Sequence, residues 1–216
     1  MPQILFRDER FVVLDKPIGL PVHPGPRGGP SVEDWFPLLS KRPQGPWLVH
    51  RLDADTSGCL LVALRRSALL AAQAEFAAGR AHKTYWAVVR GIPSAMHGTV
   101  DAPLTRRSTR NGWRMVLDPG GKSAITDWHV RGHADDTTWL ELSPRTGRTH
   151  QVRVHCAALG CPIVGDTIYG GGAGPLHLLA RAIALDLHPP VSACAPAPSH
   201  MRAALEGASK HFSIPP

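Results

Sequence analysis

An α+β fold on a mixed, mainly antiparallel sheet with flanking helices and loops is predicted by three features of the chain. Short apolar segments of strand length recur along it, only two segments carry helical signatures, and nothing alternates regularly as βαβ units require. With 216 residues, 43% hydrophobic and 19% charged, the chain can build one sizeable core, and a single domain over 1–216 is expected.

The elements follow in order. Ile4-Leu5-Phe6 and Phe11 to Pro17 flank the polar Arg7-Asp8-Glu9-Arg10, the pattern of a hairpin. Residues 17–30 are rich in proline and glycine, which excludes helix and central strand and leaves a surface loop suited to ligand contacts. Cys59 to Leu64 is a continuous apolar run, as in an interior strand. Ser67 can cap a helix over Ala68 to Ala78, with Gly79 just past its end. Strands are expected at 83–91, 112–118, 123–131 and 137–143, paired antiparallel. Residues 146–160 read as a loop entering a helix, with Thr149 as N-cap and Gly160 as the stop. Leu176 to Leu187 supplies a last strand, and the Pro- and Ala-rich residues at about 190–216 are expected to form an irregular tail.

The formal charge is +7, the pI is near 9.7, and Arg far outnumbers Lys. Guanidinium groups suit bidentate phosphate contacts and stacking on bases, so the charge points to nucleic acid; a merely basic soluble protein has the same net charge. Cys59, Cys156, Cys161 and Cys194 form no CxxC pair, and MPQILFRDERF lacks the apolar core of a signal peptide. No stretch approaches the roughly 18 apolar residues of a membrane span, so a cytoplasmic protein with no membrane partner is expected.

The densest chemistry lies at His50 to Gly58, HRLDADTSG. Asp53 falls between apolar Leu48-Val49 and Leu60-Leu61-Val62, so its carboxylate should be half buried and in need of a cation. Arg51, Arg148 and Arg153 are candidates; the alternative is a purely structural ion pair. Asp55 could form a glycosidase-like acid/base pair with Asp53, but more simply joins the turn chemistry of Thr56-Ser57-Gly58. Arg148 and Arg153 bracket the start of the later helix, where its first amides would add positive potential. His150, His155, Cys156 and Cys161 match no zinc spacing, and neither a Walker loop nor a GxGxxG after a strand is present; no metal and no nucleotide cofactor are expected.

These residues resemble the RluA-type RNA pseudouridine synthases. HRLDADTSG at 50–58 is similar to that family's signature segment, KPIGLPVHPG at 16–25 to its N-terminal motif, KTYWAVVRG at 83–91 to its tyrosine motif, and TGRTHQVRVHCAALGCPIVGDTIYG at 146–170 to its long C-terminal motif. The resemblance implies the pseudouridine synthase catalytic fold and an isomerase that flips a uridine from structured ribosomal or transfer RNA and rejoins its base through C5. It implies Asp53 as the catalytic carboxylate, Arg153 as its salt-bridge partner and Tyr85 as the ring stacked on the uracil. Arg51 would fill the gap left by the flipped base, and Arg148 would contact RNA. Attack at C1′, attack at C6 and proton removal at C2′ all remain open, and each needs an ionised Asp53. No cofactor is implied, a monomer is expected, and the N-terminal accessory domain of many relatives has no room. Leu179 stands where relatives often have His, which weakens the carry-over there. Two rivals are a non-catalytic RNA-binding protein on this fold and a nucleoside hydrolase using Asp53 and Asp55.

Overall fold

The computed structural model describes residues 3–25, 28–110 and 112–210. The chain divides into two units, Met1–Lys83 with Leu179–Pro196 and Thr84–Leu178 with Ala197–Pro216. In the first, β1 (Gln3–Arg7) and β2 (Phe11–Lys16) form the expected hairpin. Its polar turn is closed by Asp8, whose Oδ1 accepts the amides of Arg10 and Phe11 at 2.7 and 2.6 Å. The described part of the 17–30 loop carries no regular strand or helix, and residues 26 and 27 lie outside the described residues. A single 3₁₀ turn (Val32–Trp35) leads into the short α1 (Phe36–Leu39), which the sequence reading missed, and β3 (Trp47–Leu48) follows.

β4 (Ser57–Ala63) is buried along its whole length and pairs antiparallel with β2, from Phe11 opposite Ala63 to Lys16 opposite Gly58. Both strands are nearly unbroken apolar runs because both faces are covered, which removes the polar alternation of a half-exposed strand. α2 (Arg66–Ala77) begins earlier than predicted: Arg65 is the extended N-cap and Ser67 lies inside the helix without capping it. Gly79, at φ 72°, ends it as expected.

The second unit opens on β5 (His82–Arg90) and adds β6 (His97–Asp101), β7 (Leu104–Thr109), β8 (Gly112–Leu117), β9 (Ile125–Ala134) and β10 (Thr137–Pro144). β5, β10, β9 and β6 form an antiparallel series in that order, while β7 and β8 make a separate two-stranded ribbon. α3 (Gln151–Ala158) follows, and its N-cap is not Thr149: His150 takes that place with φ 52°, so the chain enters the helix through a left-handed turn that an extended threonine cap cannot make.

β11 (Leu178–Leu185) returns to the first unit and runs parallel to β4, with Leu179 opposite Ser57; β12 (Val191–Cys194) pairs antiparallel with β11. This parallel pairing beside antiparallel ones gives the predicted mixed sheet of an α+β fold. α4 (Ser199–Lys210) then packs on β9 and β10 in the second unit. The expected irregular tail at 190–216 is therefore corrected: it contains β12 and α4, because Met201, Leu205 and Ala208 recur at helical spacing and are buried. Residues 211–216 lie outside the described residues. No helix among the described residues is long and apolar enough to cross a membrane.

Gly58 closes the HRLDADTSG segment at φ 105°, and a Cβ there would lie 2.3 Å from the Ala180 carbonyl oxygen on β11. Gly58→Ala is expected to lower stability by about 2–4 kcal/mol, through backbone strain and a clash with main chain, measured by urea unfolding.

Candidate active site

In the first unit the Asp53 segment is a tight turn, with the Thr56 amide donating to the Asp53 carbonyl at 3.1 Å, directly ahead of the rigid β4. Asp53 is half-buried, while Arg51 and Asp55 are exposed. The turn is tied down by Lys16, at the end of β2. Its side chain is fully buried, and Nζ donates to the carbonyls of Pro17, Leu20 and Ala54, each at 2.8 Å. The Gly19 amide also donates to Ala54 O, at 2.9 Å. Burial lowers the Lys16 pKa to about 8, against the opposing pull of the Asp55 and Asp53 carboxylates. The sequence reading sought a cation for Asp53 only among arginines and missed this lysine; the signal was a charged residue ending an apolar strand.

His50 anchors the other end of the segment. Its Nε2 accepts the Leu61 amide at 3.0 Å, and its ring stacks on Phe76 of α2 at 5.4 Å. Burial, reinforced by the Lys83 cation, pushes its pKa down to about 4, so the ring is neutral at pH 7 and keeps Nε2 free to accept. Lys83 lies 5.8 Å from the Phe76 ring centre and is itself lowered to about 8 by burial. Leu179 is buried on β11.

In the second unit, Tyr85 lies half-buried on β5, opposite Leu142 of β10. Arg153, 3% exposed on α3, grips Asp166 in a two-pronged pair: Nε to Oδ2 and Nη2 to Oδ1, both 2.8 Å. Asp166 is fully buried, and its Oδ1 also accepts the amides of Ile168 and Tyr169 at 3.0 and 3.1 Å. Burial alone would raise the Asp166 pKa, but the Arg153 hydrogen bonds and charge, with the two amides, hold it below the usual range. Asp166 went unnoticed in the sequence, although an acid after Ile163-Val164-Gly165 is unusual in so apolar a setting.

α3 buries the polar Gln151, Arg153 and His155 beside the apolar Val152, Val154 and Cys156. Gln151 Oε1 accepts the Thr146 hydroxyl (2.7 Å) and the Arg148 amide (3.0 Å), and its Nε2 donates to Ile125 O and Thr126 Oγ1. His155 meets Thr126 Oγ1 at 2.9 Å. Arg148 is exposed and anchored by one bond, Nε to Ser123 O at 2.9 Å. Among the described residues no group of three or more His, Cys, Asp or Glu is arranged to hold a metal ion.

Beside α3 stands the β7–β8 ribbon. Residues 104–117 carry Arg106, Arg107, Arg110 and Arg114 and no acidic residue. All four are exposed, none pairs with a carboxylate among the described residues, and Arg107 lies directly opposite Arg114. Two like charges across a strand pair repel unless an anion lies between or above them.

Comparisons with known proteins show the family. A family model described as RNA pseudouridylate synthase matches residues 10–158. An uncharacterised RNA pseudouridine synthase of Zymomonas mobilis is 40% identical over 207 residues, covering 91% of this chain and 94% of the relative. Ribosomal large subunit pseudouridine synthase D of Xanthomonas campestris is 41% identical over 173 residues, 78% of this chain and 51% of that protein, so the chain spans about half of that relative. The solved structure of human RNA pseudouridylate synthase domain containing 4 superposes with a TM-score of 0.81 at 27% identity, covering 97% of this chain and 94% of that one. The family model and these relatives thus show an RNA-modifying isomerase, and the chain belongs to the RluA-type RNA pseudouridine synthase family, which converts uridine to pseudouridine.

Asp166→Ala leaves the Arg153 guanidinium buried without its fork and is expected to cost about 3–5 kcal/mol, measured by chemical unfolding. For His50, the unfolded chain takes up the proton near pH 6.5 and the folded one only near 4, so the stability that its neutral ring contributes is complete above about 6.5 and is lost as pH falls towards 4. Between pH 7 and 4 the wild type is therefore expected to lose about 2–3 kcal/mol more than His50→Gln, compared by urea unfolding at each pH.

Proposed function

We propose that this chain isomerises specific uridines in structured ribosomal or transfer RNA, as a single catalytic domain acting as a cytoplasmic monomer without a cofactor. The observation that carries the reading is the placement of Asp53: a half-buried carboxylate on a turn locked by Lys16, inside the segment that resembles the family signature. Reaction at the glycosidic carbon or the base needs a carboxylate held in one orientation and ionised, and a turn bonded to both β2 and β4 supplies that rigidity.

In this reading the target uridine leaves its stack, at a cost of a few kcal/mol that backbone contacts offset. Arg51 occupies the vacated space, Tyr85 stacks on the uracil, and Asp53 breaks and re-forms the bond to the ribose. Arg153, its orientation fixed by Asp166, compensates the Asp53 charge. Arg148 contacts RNA, as do the exposed arginines of the β7–β8 ribbon, whose unopposed charge fits a phosphate backbone. The relatives named for the ribosomal large subunit favour ribosomal RNA as the first substrate to try.

Asp53→Asn keeps the shape and removes the carboxylate. It is expected to abolish pseudouridine formation while RNA affinity stays within about threefold of wild type, since the group acts in the chemical step. The assay is tritium release from C5 of labelled uridine in total RNA from cells lacking the gene. Normal turnover by this variant would remove Asp53 from its role, and release of free uracil would indicate a hydrolase.

A further inference from the structure

We infer that Trp113 is a positioning residue that couples the arginine ribbon to the Arg153–Asp166 pair; this rests on the pseudouridine synthase reading above. The two faces of the ribbon differ. Leu104, Met115 and Trp113 alternate along one face, whereas Arg107 and Arg114 meet on the other. The first face is the one that docks: Leu104 packs with Ala124 and Val154 of α3 in a small core that Met115 and Tyr169 complete.

From that core a continuous series of contacts runs to the guanidinium. Arg106 lies 4.6 Å over the Trp113 ring, and Trp113 stacks on His150 at 5.2 Å with the rings 26° apart. His150 Nδ1 is 2.9 Å from the Tyr169 hydroxyl, which also accepts the Met115 amide of β8 at 3.0 Å. The Tyr169 ring stands edge-on to His150 and lies 5.4 Å from the Arg153 guanidinium carbon, and its amide is bound by Asp166. Every link is a ring contact, a cation–π contact or a hydrogen bond, so a tilt of the ribbon is passed along the series rather than absorbed.

His150 is the point where this coupling acts. It holds a left-handed backbone conformation that costs a non-glycine residue about 1 kcal/mol or more, and it is the residue from which α3 starts. The Trp113 stack and the Tyr169 hydrogen bond hold the ring in the orientation that this turn requires. Trp113 is 39% exposed, so its role is not to fill a core. Seating RNA on the arginine face would press the opposite face onto His150 and fix the start of the helix that carries Arg153.

The test measures single-turnover tritium release from [5-³H]uridine-labelled total RNA of a deletion strain, as a function of enzyme concentration. Trp113→Ala is expected to lower the saturating rate about tenfold while the half-saturating concentration moves less than about threefold, and Trp113→Phe, which keeps a flat ring over His150, is expected to recover the rate to within about twofold of wild type. Thermal melting of both variants should match wild type within a few degrees. An unchanged rate for Trp113→Ala, a loss confined to half-saturation, or a failure of Trp113→Phe to restore the rate would each overturn the coupling. If the wild type itself releases no label, the proposed function fails instead.

Discussion

A buried ammonium fixes the geometry on which the first unit's chemistry rests. Lys16 ends a strand that is otherwise apolar, and its three donors satisfy three main-chain carbonyls from two separate segments. A lysine can do this and an arginine cannot, because three carbonyls converging on one point need a compact, roughly tetrahedral donor rather than a planar fork. The loop after β2 and the turn that holds Asp53 are thereby one body. The energetic cost is visible in the lowered pKa of Lys16, and it is borne at the turn that holds Asp53.

The second unit meets a similar requirement by different means. α3 is only two turns long, yet it buries Gln151, Arg153 and His155, each satisfied by a partner outside the helix. Beside the burial of Val152, Val154 and Cys156, such a helix gains specific address: Gln151 can bond to Ile125, Thr126, Thr146 and the Arg148 amide together in one register only. A shift by one residue would leave several buried polar groups unpaired, at about 1–3 kcal/mol each.

What could be read in advance divides along physical lines. The β1–β2 hairpin, β4 and α2 were legible because apolar runs and turn residues are local signals. Thr149 does not cap the helix because His150 takes the left-handed turn, and the partners of its ring, Trp113 and Tyr169, are distant in sequence. β6 and β7 were missed because His97-Gly98-Thr99-Val100-Asp101 and the arginine-rich 104–109 segment carry few apolar residues, their pairing coming from neighbours rather than from propensity. In the site, the Asp53 segment announced itself by its own composition. Asp166 and Lys16 did not, since nothing near Asp166 names Arg153 and nothing near Lys16 names Ala54.

The arginine ribbon has a thermodynamic consequence of its own. With Arg107 facing Arg114 and neither paired with a carboxylate among the described residues, the ribbon is electrostatically frustrated when no anion is bound. Added salt screens that repulsion and tightens the free ribbon, while the same salt weakens attraction to a polyanion. Ionic strength therefore acts on this element with opposite signs in the empty and loaded protein. A strand pair that any polyanion relaxes is, in effect, a sensor of local anion density, and the molecule carries it beside α3.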